Sequence, residues 1–187
     1  MQPFVDALKA ALEAQNWYAA LLTALTLPDM CAAAEGLREG NGERYRRWCN
    51  TYLVAKYTVH APNDPVGCVF LSGDDIWKLR NAVLHEGSDQ VRRDAVADVL
   101  HRVGFSSAGA HKNRIQVNGV TALNLTVPGF CHDVIAAVER WQFIVSDNAI
   151  VQENIATRLT VHTEDYDLMP GVRIGVTGNR RPPRSDV

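Results

Sequence analysis

The sequence predicts a mainly α-helical bundle interrupted by one inserted β-hairpin near residues 114–127, and three observations carry that expectation. Through the first hundred residues apolar side chains recur at helical spacing between short breaks. A Ser72-x-x-Asp75 capping box marks the start of one helix unusually clearly, and Asn118-Gly119 stands among β-branched residues as a two-residue hairpin turn would. A chain of 187 residues, 47% apolar and 21% charged, is long and apolar enough to close one core. The expected division is a single helical domain over 1–157, hairpin included, and a weakly structured segment with a basic tail over 158–187.

The elements follow in order. From Pro3 to Ala14, Phe4, Val5, Leu8 and Leu12 share one side of a helix. Asn16 caps the next segment, and Pro28 inside it predicts two helical pieces divided near Thr26 or Leu27, because proline lacks the N–H that the ladder needs. After a loop over 35–42, the run Glu43 to Tyr57 buries Tyr45, Trp48, Tyr52 and Leu53 and turns Arg44, Arg46 and Arg47 to solvent. Two prolines and a glycine make 59–69 a loop. Ser72 then opens a helix, with Leu71 and Ile76 as its hydrophobic staple and Gly87 as its stop. Ser88 or Asp89 caps a partner helix carrying Val91, Ala95, Val99 and Val103 and ending at Gly104, which folds back as a hairpin with its corner at 84–89. Thr126 and Pro128 start a last helix through Val134, Ile135, Val138, Trp141 and Ile144. Short strands are expected near 158–163 and 172–176.

Charge and cysteine usage exclude several function classes. A net charge of -2 removes broad nucleic-acid coating, although the stretch from 170 onward is net +3 against -5 for the rest. Asp6 and Lys9 break what a secretory leader would need, and no run is long and apolar enough to span a bilayer, so the expectation is a cytoplasmic chain with no membrane partner. Cys31, Cys49, Cys68 and Cys131 are spaced without a C-x-x-C pair and read as reduced, mostly buried thiols. Cys131, His132 and Asp133 are consecutive, and helical neighbours about 100° apart cannot converge on one ion. No metal and no cofactor are expected. Trp17, Trp48, Trp77 and Trp141 occupy core-like positions, while His60, His101, His111, His132 and His162 have no evident partner in sequence.

One constellation is harder to assign to packing. On the helix opened by Ser72, Arg80 falls within the apolar arc of Ile76, Trp77, Leu79, Val83 and Leu84, whereas Asp74, Lys78, Asn81 and His85 form the opposite stripe. A guanidinium stays charged, so that position calls for a carboxylate such as Asp29 or Glu35, a ligand phosphate or an interface. Asn81 is one turn from His85 and within reach to orient it. His85 lies in the last turn, where the helix dipole, Glu86 and Asp89 favour its protonated form and where it would otherwise serve as a capping histidine.

The phrase Arg80-Asn81-Ala82-Val83-Leu84-His85 resembles the R-x4-H signature of the HEPN superfamily, with Asn81 as the polar member, and the wider stretch 16–145 is similar to a group of uncharacterised bacterial proteins. The resemblance implies a helical bundle, commonly dimeric, and a metal-independent endoribonuclease in a defence or toxin system. Arg80, Asn81 and His85 would be catalytic, and Lys78 and Trp77 would bind substrate. It implies RNA as substrate and a homodimer or another protein as partner. The alternative is a catalytically inactive HEPN-like dimeric interaction module. The 114–127 hairpin is not part of a minimal HEPN bundle. Residues five apart on an ideal helix diverge by about 140°. To meet, Arg80 must curl round, the helix end must deform, or a second subunit must complete the site, and the last is the route favoured here.

Overall fold

The computed structural model describes residues 1–60, 62, 66–86 and 102–176. The corner residues Gly87, Ser88 and Asp89, the helix expected through Val91, Ala95 and Val99, and the tail from 177 lie outside them. Two compact units are present, Met1–Ile155 and Ala156–Val187.

Six α-helices make the described chain mainly helical: α1 (Gln2–Glu13), α2 (Trp17–Ala34), α3 (Asn41–Tyr52), α4 (Gly73–Asn81), α5 (Val127–Ile144) and α6 (Ala149–Ala156). Helix α2 lies at the centre, packed against α1, α3 and α5, while α4 packs on α3. Its composition and length would suffice to cross a membrane, but half of it is buried within the unit, as in a core helix. Asn16 caps it as its sequence position predicts, accepting the Ala19 N–H at 3.2 Å.

The break expected at Pro28 does not occur, and α2 runs unbroken through it. The proline removes one ladder donor, and neighbouring hydroxyls tie the loosened turn. Tyr45 Oη donates to the Leu25 carbonyl at 2.9 Å and Thr26 Oγ1 to the Thr23 carbonyl at 2.9 Å. Leu25, Leu27, Pro28 and Cys31 are all buried, so the packing that would be lost by ending the helix outweighs the missing bond. At the far end, Asn154 Nδ2 donates to the Ala34 carbonyl at 3.0 Å and fastens α6 to the close of α2.

Past α3, a 3₁₀ turn (Val54–Tyr57) leads into the short antiparallel pair β1 (Thr58–Val59) and β2 (Cys68–Val69), within the segment expected to be loop alone. The expected hairpin is present as β4 (Asn113–Val117) and β5 (Val120–Thr126), with Asn118 and Gly119 at φ 49° and 76° in the turn. A further strand joins them. Residues expected to end a helix form β3 (Arg102–Ser106), which pairs in parallel with β5 to give the order β3-β5-β4. The fourfold spacing of valines up to Val103 fits a helix, but Val103 and Phe105 alternate toward the core, and Phe105 meets Phe130 edge-on at 5.7 Å. Beyond β5, Thr126 Oγ1 accepts the Gly129 N–H at 3.2 Å and starts α5 as expected, although Ile144 is exposed.

The second unit contains an antiparallel pair, β6 (Tyr166–Met169) and β7 (Val172–Ile174). The first strand lies after, not within, the expected 158–163. His162 stacks on Tyr166 with ring centroids 3.7 Å apart.

Candidate functional site

Helix α4 is fixed at its start before it presents anything at its end. Ser72 Oγ accepts the Asp75 N–H at 3.1 Å, and Asp75 Oδ2 accepts the Ser72 N–H at 2.8 Å, closing the box that the sequence predicts. A Cβ on Gly73 would lie 2.5 Å from Asn50 Oδ1, so only glycine lets this first turn seat against α3, where the Gly73 N–H donates to that same oxygen. Ile76 and Leu79 are buried beneath it.

The far end departs from α geometry. Residues Ala82–Glu86 form a π-helical turn. A turn with hydrogen bonds spaced five residues apart holds more residues than an α-helical turn, which narrows the divergence of Arg80 and His85 expected on an ideal helix. Arg80 NH1 donates to Asn81 Oδ1 at 2.9 Å and lies 3.2 Å from His85 Nε2. The two groups meet within one chain, at a helix end deformed in the way the second of the three routes requires. A guanidinium has donors only, so this contact is a hydrogen bond where Nε2 is the ring nitrogen that carries the lone pair.

The same arginine is anchored from below. NH2 lies 3.5 Å from Asp29 Oδ2, and Arg44 NH2 lies 3.4 Å from the other oxygen of Asp29, so one carboxylate on α2 faces two guanidinium groups. The Arg80 side chain is 17% exposed, with its central carbon 5.3 Å from the Trp77 ring centroid. That cation–π contact supports a guanidinium whose Nε has no acceptor. Asp29 is one of the two internal partners the sequence allows. Glu35, the other, instead pairs with Arg47 at 2.7 Å and accepts from Trp141 Nε1 at 2.9 Å. Arg44, Arg46 and Arg47, expected to face solvent, are half-buried and all ion-paired, because the acids of neighbouring elements reach them.

Arg80, Asn81 and His85 are therefore brought together, with His85 exposed and Asn81 half-buried. Of the two residues expected to bind substrate, Trp77 meets the cluster through the Arg80 guanidinium. Lys78 pairs with Asp74 one turn back and is mostly covered, and half-buried Trp77 is held against Tyr45 at 5.2 Å.

A second polar cluster had no sequence signal. His111, which has no partner along the chain, accepts the Thr126 N–H on Nδ1 at 3.1 Å and points Nε2 at Asp133 Oδ2, 3.4 Å away. Lys112 and Lys56 also reach Asp133, at 2.9 and 3.1 Å. Burial alone would raise the Asp133 pKa, but the Lys112 hydrogen bond and charge, with Lys56 behind them, hold it below the ordinary carboxylate value. Burial and the Asp133 charge push the neighbouring Tyr57 hydroxyl up. His111 and Asp133 lie far apart in sequence on a loop and a helix, so no spacing announces them. Among the cysteines, burial pushes Cys131 up to about 12 and Cys49 higher still, which keeps both as thiols, while Cys68 is exposed. Among the described residues no group of three His, Cys, Asp or Glu side chains is placed to hold a metal ion.

No family model, curated protein or solved structure matches the chain.

Proposed function

We propose that the Met1–Ile155 unit is a HEPN-like helical module that cleaves RNA without a metal, using Arg80, Asn81 and His85. The observation that supports this reading is the 3.2 Å approach of Arg80 NH1 to His85 Nε2 across the π-helical turn. It sets a fixed cation beside an imidazole nitrogen, the two groups that charge stabilisation and proton transfer at a phosphate call for.

In this reading a phosphate of the RNA takes hydrogen bonds from Arg80 in competition with Asn81 and His85. Nε2 is then released to accept the proton of the adjacent 2'-hydroxyl. The 2'-oxygen attacks phosphorus, a P–O bond to it forms, and the bond to the 5'-oxygen breaks. That leaving oxygen takes a proton, from the imidazolium or from water. Arg80 stabilises the charge that builds on the phosphorane, and Asn81 keeps the guanidinium in plane. Asp29 holds Arg80 in place and lies on the side away from His85.

The test is cleavage of RNA by the purified protein in EDTA. The expected result is cutting that falls at least about a hundredfold in Arg80→Ala and in His85→Ala, a typical cost for removing a general base or a charge-stabilising group. A second reading, a dimeric HEPN-like interaction module without catalysis, draws on the Arg80–Asp29 contact. It is favoured if RNA stays intact and Arg80→Ala lowers stability or dimerisation instead.

A further inference from the structure

A groove separate from the Arg80 cluster opens between the β1–β2 pair and β4. It has a volume of about 480 Å³ and is lined by Lys56, Thr58, Val59, Cys68, Phe70, Lys112 and Arg114. Lys112 spends its hydrogens on Asp133 at 2.9 Å and the Lys56 carbonyl at 3.1 Å, and its ammonium sits 4.7 Å from the Tyr57 ring centroid. It thereby offsets the charge of half-buried Asp133. His111 is occupied as well, with Nδ1 accepting the Thr126 N–H and Nε2 facing Asp133. Lys56 makes one contact to Asp133 and keeps donors to spare, and exposed Arg114 has no carboxylate partner among the described residues. Among the described residues the lining of the groove thus keeps two cations in surplus, Lys56 and Arg114.

The backbone beneath them is held in an uncommon state. Lys112 has φ 62°, in the left-handed region that lysine rarely adopts, and its contacts to Asp133, Lys56 and Tyr57 hold it there. Val59 and Phe70 add apolar surface to the lining, and the volume falls in the range that holds a small organic ligand.

We infer that this groove binds a phosphomonoester carried on a planar aromatic body of mononucleotide size, with Lys56 and Arg114 on the phosphate and Val59 and Phe70 against the ring. Arg114 offers a planar fork that matches phosphate geometry, and Lys56 adds a point charge beside it. The inference is independent of the RNA-cleaving reading.

Cys68 supplies the test, because it lines the groove and is exposed while Cys31, Cys49 and Cys131 are buried. The rate of its alkylation by neutral iodoacetamide is measured on the full chain by mass spectrometry, with and without 5'-AMP, adenosine or inorganic phosphate. Saturable protection by 5'-AMP of about tenfold is expected, with little from adenosine or phosphate alone, since both halves of the groove are needed. Arg114→Gln and Lys56→Gln should each abolish most of that protection, read as the ratio of rates with and without nucleotide. Calorimetric binding of 5'-AMP to Cys68→Ser should show the same dependence on Arg114. No protection at millimolar 5'-AMP overturns the inference, as does protection that survives both substitutions. Equal protection by phosphate or by adenosine overturns the two-part ligand.

Discussion

Arg80 meets two demands at once. Its position under Trp77 and above Asp29 gives a partly buried charge a partner on each side, and its NH1 edge turns outward to Asn81 and His85. The sequence made the triplet itself legible, because an arginine within an apolar arc needs an explanation and Asn81 and His85 follow at close spacing. Its mutual geometry was not legible, since an ideal helical projection carries no information about a π-helical turn. The Asp133 cluster was hidden for a different reason: its members come from a 3₁₀ turn, a loop and a helix, joined only in three dimensions. Asp133 carries its own prediction. Its folded pKa lies below the ordinary value, so its stabilising contribution is fully present above the unfolded value of about 4 and is lost as pH falls through the folded one. Asp133→Asn should cost about 1–3 kcal/mol in urea unfolding at neutral pH, because Lys56 and Lys112 lose their partner. The difference from wild type should shrink as pH falls below about 4. A difference that stays constant down to pH 2 would contradict it.

At the level of elements, the strongest local signals gave the most faithful outcomes. Ser72, Asn16 and Thr126 all cap the helices their positions predict, since a cap is a contact between residues two or three apart. Pro28 and β3 show the opposite. Proline's local cost was outweighed by burial along α2, and the pairing of Arg102–Ser106 with Ala122–Thr126 depends on a partner strand far along the chain. Because the cap at Ser72 also positions buried Asp75, Ser72→Ala is expected to lower stability by about 1 kcal/mol, seen as a lower urea midpoint at unchanged slope. A midpoint within error of wild type would show that the start of α4 is held by the Asn50–Gly73 contact alone.

For the molecule as a whole, composition foretold a real core, and one is present, centred on Trp48, Trp141, Tyr45, Tyr57 and Phe130. What composition cannot convey is that this core serves as a platform. Helix α2 supplies Asp29, α4 and the π-helical turn after it supply Arg80 and His85, and both helices pack against α3. The RNA cleavage proposed for the Arg80–His85 pair has a signature in its products. The most direct measurement is the end groups left on a defined RNA oligonucleotide incubated with the protein in EDTA. The account predicts a 2',3'-cyclic phosphate and a 5'-hydroxyl, and no cut where the 2'-hydroxyl at the scissile position is replaced by hydrogen. A 5'-phosphate product, cleavage of the deoxy-substituted strand, or RNA that remains whole would contradict it.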